Sequence, residues 1–329
     1  MTARRHHHVP QCYLRGFVKD RDDPQLFVVD AKEARVFRTS PANVAAERDF
    51  NRIDVEGLPP DALEQGMSGF ESEVSNALAR IISARSILDR NDRELLFNLI
   101  ALMAARNPGR REMFRSVMEQ TTKIIMGMAL ATPERWESQM RRAKADGYIA
   151  LDAATDYEKM KAFIESGAYE IEVANERHIE LELQSQKRLL PLIFHRRWVL
   201  FKAPPGRTGF ITSDHPVCLM WSDPKQRGKF HGPGYGLRRT QIVFPISNEL
   251  AMIGAFEAEE AAYDADTELI AEINGAVMTH SLRQVYARDQ DFTYILGHNR
   301  RIMTGDELLL DQATLHRKHT KNPAKNKES

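Results

Sequence analysis

Three consecutive histidines, His6, His7 and His8, stand directly before Val9-Pro10 and form the densest run of chemically competent side chains in the sequence. Imidazole changes charge near neutrality and ligates divalent metals, so the run points to acid–base or metal chemistry, with His7 as the candidate group. The alternative is a histidine bonded to a backbone carbonyl beside two solvated neighbours. A second candidate is Phe210-Ile211-Thr212-Ser213-Asp214-His215-Pro216-Val217, an apolar strand ending in polar residues ahead of a proline that enforces extended or turn geometry. Asp214 and His215 both suit metal ligation or proton transfer. The alternative there is a turn in which Ser213 and Asp214 bond neighbouring amides.

Three further groups bear on the same chemistry. Glu64 and Glu71 are seven residues apart, two turns along one helical face, and Glu73 points elsewhere. A carboxylate beside Phe70 and Val74 can reach a site on a sheet, although helical glutamates usually face water. Arg106, Arg110 and Arg111 flank Pro108-Gly109 at a helix junction, where guanidinium groups and free amides can hold phosphate or pair with nearby glutamates. The segment Gln226–Thr240 combines Gly232, Gly234 and Gly236 with Phe230, Tyr235, Arg227, Lys229, Arg238 and Arg239. That mixture suits nucleic-acid contact as well as a mobile surface loop. It lacks the Walker spacing, and HExxH, GxSxG, paired CxxC and GxGxxG after a strand are all absent from the sequence.

These residues must be positioned by strands at both ends and helices between. Leu26–Asp30 and Ala34–Thr39 read as a β-hairpin. Pro10 starts a single helical turn that puts Tyr13, Leu14 and Phe17 on one face. From Pro60 the period becomes helical, with Leu63, Met67, Phe70, Val74, Leu78 and Ile81 on one stripe and Asp61 as a cap. A second helix starts at Asp89 or Asn91 and ends before Pro108. Further helices are expected over Arg111–Ala131, Glu134–Asp146, Tyr157–Ser166 and Ala168–Leu189. Strands follow at Arg197–Ala203, Gly209–Ser213, Gln241–Ser247 and Glu249–Phe256. A helix over Ala262–Ser281 precedes strands at Arg283–Ala287 and Phe292–Leu296.

The order strands, helices, strands predicts an α+β fold in which N-terminal and C-terminal strands form one mixed or antiparallel sheet covered by the helical middle. One domain over 1–315 is expected, made of a strand and loop segment (1–55), a helical region (60–190) and a sheet-rich region (195–300). A disordered basic tail is expected over 316–329. With 42% hydrophobic and 28% charged residues in 329, the composition excludes disordered, collagen-like and coiled-coil-only classes. Lys plus Arg equals Asp plus Glu at 46 each, so an anionic partner must be met by a local patch. Two cysteines, Cys12 and Cys218, are too few for a disulfide framework and favour a reducing, cytoplasmic setting. The apolar run Leu95–Ala105 is too short to span a bilayer, and no signal-like run follows the basic start, so no membrane partner is expected.

Several motifs in order resemble one family. They are HHxVPxxYLxxF from His6 to Phe17, FESE from Phe70 to Glu73, Arg106-Asn107-Pro108, TSDHPV from Thr212 to Val217, and IVFPIS from Ile242 to Ser247. The pattern resembles the bacterial and viral family called domain of unknown function 4238, over about His7 to Tyr286. The resemblance makes His7 the recurrent histidine and aligns Asp214 and Pro216 with a Ser-Asp-x-Pro pattern, from which His215 departs. It supports the fold boundaries and the choice of residues while assigning no catalysis.

Together these residues point to a hydrolase of a phosphodiester or nucleotide. His7, Asp214 and Glu71 would be catalytic, with His7 and Asp214 binding a divalent metal or acting as acid and base. Arg106, Arg110, His215, Arg238 and Arg239 would hold the substrate. The competing expectation is a noncatalytic module that binds nucleic acid or protein in a mobile-element or defence system.

Overall fold

A computed structural model of the chain describes residues 5–205, 209–226, 231–297 and 301–310. The first elements are β1 (Arg5–His7), α1 (Gln11–Leu14) with a 3-10 turn at Arg15–Phe17, β2 (Leu26–Asp30), β3 (Arg35–Thr39) and β4 (Ala46–Arg48). Helices follow: α2 (Ala62–Ala84), α3 (Arg90–Ala105), α4 (Pro108–Ala129), α5 (Pro133–Ala145), α6 (Tyr157–Ser166) and α7 (Asn175–Phe194). The chain then forms β5 (Arg197–Lys202), β6 (Thr212–Ser213), β7 (Cys218–Trp221), β8 (Thr240–Pro245), β9 (Leu250–Ala255) and β10 (Ala261–Asp264). Last come α8 (Thr267–His280), β11 (Gln284–Ala287), β12 (Thr293–Tyr294), β13 (Met303–Thr304) and α9 (Gly305–Leu310).

This is the expected α+β fold, and strands from the two ends do share a sheet. β2 pairs antiparallel with both β3 and β11, and β11 pairs with β6, giving the order β3-β2-β11-β6. A second sheet has the order β10-β5-β9-β8-β7 and is antiparallel except for the parallel β10–β5 pair. The strands thus divide between two main sheets where a single sheet was expected. The physical reason is that β2 and β8 bury both faces. Leu26 and Val28 enter one core with Phe244, while Phe27 and Val29 enter another with Val243.

The chain gathers into two compact units. One holds the described residues up to Asn107 and from Ile179 onward; the other is Pro108–His178. In the first unit α2 and α3 form a helical hairpin. Asp89 caps α3 by accepting the Asp92 amide at 2.9 Å, and Leu96 to Ala105 is buried except for half-buried Asn98. Asp61 sits at the start of α2 but makes no capping bond from its side chain. α2 ends at Arg85 in the left-handed region (φ 48°), held by Arg85 donating to Glu249 at 2.8 Å and to the Ala203 carbonyl at 2.7 Å.

Several expected boundaries move, two of them for reasons visible in the packing. α7 starts at Asn175 and runs past Pro191 to Phe194, because Ile193 is fully buried and its carbonyl accepts Trp198 Nε1 at 3.1 Å. The segment Ala261–Asp264 pairs with β5, and α8 begins only at Thr267, where Asp266 accepts the Leu269 amide at 2.8 Å. Gly254 is required in β9, since a Cβ there would lie 2.7 Å from the Trp198 ring. Among the described residues no helix is long and apolar enough to cross a membrane. The basic tail expected from His316 lies outside the described residues.

α1 is the tie between the sheets. Pro10 precedes it, its carbonyl accepts the Tyr13 and Leu14 amides at 3.1 and 3.2 Å, and Tyr13, Leu14 and Phe17 are all fully buried. The Tyr13 hydroxyl lies 2.7 Å from Thr212 Oγ1 in β6 and donates to the Pro245 carbonyl of β8 at 2.8 Å. Tyr13→Phe leaves the Pro245 carbonyl without its donor in an apolar core. It should lower unfolding stability by about 1–3 kcal/mol in urea melts at unchanged m-value.

Candidate functional site

The site grows from β1. It pairs antiparallel with β4, His6 opposite Glu47 and His7 opposite Ala46, and alternation buries His6 and His8 while His7 on the other face is half-buried. His6 Nδ1 accepts the Asn51 amide at 2.8 Å, which places its proton on Nε2. Asn51 is itself buried. Its side-chain amide donates to Glu64 Oε2, and its carbonyl oxygen accepts from Arg106 Nη2. Arg106, at the end of α3, also donates to the His7 carbonyl at 3.4 Å and to Met67 Sδ at 2.9 Å, with its guanidinium carbon 5.5 Å from the Phe50 ring centre.

α2 supplies the acids. Glu64, Met67 and Glu71 are half-buried on one face, whereas Glu73 is exposed, as its position on the helix requires. Glu71 makes no hydrogen bond or ion pair among the described residues. Burial raises its pKa above the ordinary 4.5, the charge of Glu64 adds to that, and Arg106 opposes it. Burial lowers the His7 pKa below the ordinary 6.5 and Arg5 adds to the effect, against the Pro41 and Ala42 carbonyls and Glu64. His7 Nε2 is enclosed and has no hydrogen-bond partner among the described residues. Cys12 on α1 feels the same acid: burial, then the Glu71 charge, push its thiol up to about 11. Cys12 is half-buried and Cys218 buried, and both are free thiols.

Asp214 does not join this group. Its Oδ1 accepts the Leu282 amide at 2.8 Å, and its Oδ2 accepts the Arg283 and Gln284 amides at 2.7 and 2.8 Å. Its carboxylate therefore clamps the turn from α8 into β11, the turn role weighed from the sequence, and burial lifts its pKa to about 6 against those donors. Among the described residues no three His, Cys, Asp or Glu side chains form a group able to hold a metal ion. His215 is half-buried, with its amide on Ser213 Oγ at 3.1 Å and Nδ1 3.2 Å from the His280 carbonyl.

The arginines expected to hold substrate separate. Arg106 is 5% exposed and its guanidinium is engaged inside the network, which makes it a positioning group. Arg110 is half-buried on α4 in the second unit. Arg238 and Arg239 are exposed; Arg239 takes φ 58° and its amide donates to Glu257 at 3.2 Å. The loop's Arg227, Lys229 and Phe230 lie outside the described residues. Its far end is fixed by buried Arg196, which donates to the carbonyls of Tyr235 and Thr240 at 2.7 and 2.8 Å.

Sequence reasoning missed His6 and Asn51. The histidine triplet marked the right strand, but a lone asparagine in an irregular segment carries no signal. Asn51→Ala removes both side-chain ties, to Glu64 and to Arg106, and should cost about 2–3 kcal/mol in urea melts, since buried Arg106 loses an acceptor. Asp214→Asn presents an N–H₂ where only acceptors fit and should cost about 1–3 kcal/mol by the same measurement.

No curated protein matches the chain, and no solved structure does. The family model described as "Protein of unknown function (DUF4238)" matches residues 5–291. That span takes in β1, Glu64 and Glu71 of α2, Arg106 and Asp214, and the chain belongs to this family.

Proposed function

We propose that the protein is a hydrolase of phosphodiesters or nucleotides, with Glu71 as general acid and His7 as general base. The observation that carries this reading is the Glu71 carboxylate. It is half-buried beside Glu64 and Arg106, raised in pKa, and unengaged among the described residues, so it is free to give a proton. In the reaction a water oxygen adds to phosphorus while His7 takes its proton. The ester P–O bond breaks, and the leaving oxygen takes the proton of Glu71. Exchange with solvent restores both groups.

An anionic substrate is supported at the same strand. Arg5 and Arg48 are exposed and lie directly opposite each other across β1 and β4. Arg48 already lies 3.4 Å from the Asp49 carboxylate and Arg5 donates to the Asn43 carbonyl at 2.9 Å, so an anion would add to these partners. A reducing, cytoplasmic setting belongs to the same reading and is supported by the free thiols. Exposed Arg238 and Arg239 favour a second reading, a noncatalytic nucleic-acid-binding module.

The test uses the full chain with single-stranded and duplex DNA, RNA and nucleotides. Glu71→Gln should lower kcat by about 10²–10⁴-fold while the circular dichroism spectrum stays the same. The pH profile should be a bell whose acid limb lies below 6.5, where His7 loses its proton, and whose basic limb lies above 4.5, where Glu71 loses its own. Because the folded-state pKa of Glu71 is raised, its ionisation costs stability as pH rises through that window. Glu71→Gln should therefore melt no lower than the parent above it. Hydrolysis unaffected by Glu71→Gln overturns the assignment. Salt-dependent binding without turnover, lost on neutralising Arg238 and Arg239, would establish the binding module instead.

A further inference from the structure

α4 is a 22-residue helix of the second unit with no buried residue. Its inward side is half-buried and carries Arg111, Arg115 and Glu119, while the opposite side is apolar. Met113, Val117, Ile124 and Met128 are 61%, 54%, 63% and 56% exposed. At 3.6 residues per turn they fall within an arc of about 60°, with Ile125 on its flank. Such an apolar stripe, interrupted only at its middle by Gln120 and Thr121, marks an interaction surface on a water-facing helix.

The order of the stripe says what covers it. Its intervals are four, seven and four residues, from 113 to 117, 124 and 128, so the pattern reads alike from either end. A two-fold axis imposes that property on a self-complementary surface. In an antiparallel pair of α4 helices, Met113 of one copy faces Met128 of the other and Val117 faces Ile124, with Gln120 and Thr121 beside the axis. Charge agrees with this pairing. α4 has no acid in its first turn and no base in its last, and Arg110 and Arg111 sit at its positive end. Antiparallel pairing brings Arg110, which lies on the face of the stripe, to the negative C-terminal end of the second copy's helix.

We propose that the α4 face binds a second copy of this chain as a two-fold antiparallel helix pair. The full-length protein should sediment as a dimer at micromolar concentration. Val117→Glu with Ile124→Glu places like charges at the centre of the pair and should weaken dimerisation by at least about 100-fold, with helical content kept because both sites face water in the single chain. Val117→Ser with Ile124→Ser serves the same purpose should the charged variant lose helical content. Orientation is read with a short bismaleimide, using the parent with its Cys12 and Cys218 as control. Gln120→Cys should cross-link, and Met113→Cys should not, because fifteen residues of rise put its two copies about 22 Å apart. A monomer at all concentrations, a dimer that survives both double variants, or equal cross-linking at 113 and 120 would overturn the proposal.

Discussion

One buried hydroxyl joins the parts of the first unit. Tyr13 sits on a single helical turn near the start of the chain, yet its oxygen meets Thr212 in the four-stranded sheet and the Pro245 carbonyl in the five-stranded sheet. The ring stacks on Phe244 at 5.4 Å between centroids and meets the edge of Phe17 at 5.3 Å. Burial holds its pKa well above the ordinary tyrosine value, so the phenol remains a donor at any physiological pH. A polar group in this position must be satisfied on folding, and the two partners that satisfy it are 199 and 232 residues away.

The candidate site follows from that anchorage. With Tyr13 and Leu14 locked, Pro10 and Val9 are fixed, and β1 can run only past β4 toward the end of α3. The histidines then enter the unit with their backbone already placed: the His8 amide donates to Ala45 at 3.0 Å, and the His7 carbonyl accepts from Arg106. Burying Arg106 requires acceptors, and Asn51 supplies one while orienting Glu64 with its other end. Glu71 lies two turns further along α2, held by the burial of Val74, Leu78 and Ile81. Its raised proton affinity is thus a by-product of helix packing: the apolar stripe that docks α2 also withdraws water from the acid beside it.

A second polar cluster has a different outcome. Asp30 is fully buried and takes Arg283 Nε on both oxygens at 3.1 and 2.9 Å, while Gln284 donates to it at 2.8 Å. Asp214 takes the amides of the same turn. These two carboxylates lock β11 between β2 and β6, and every strong donor near them is already in use. Strand-end acids therefore serve the fold here, and the acid left unengaged is on a helix.

Much of this was legible in the residues themselves. Periodicity located α2, α3 and α6, and Leu26–Asp30 read as a strand to the residue, because side chains on one face of a helix or strand repeat at a spacing that needs no partner to be recognised. The histidine triplet and Glu71 were visible for the same reason: each stands in a local pattern. What the chain alone did not determine is which distant groups complete one another. Two-residue and three-residue strands such as β1, β4 and β6 have too little pattern to be read and form because a neighbour offers an edge. Asp214 and His7 carry the same promise in sequence. Tertiary structure decides between them, because a carboxylate spends its lone pairs on whichever donors folding brings within about 3 Å. For Asp214 those donors are three backbone amides, and for Glu71 none arrives.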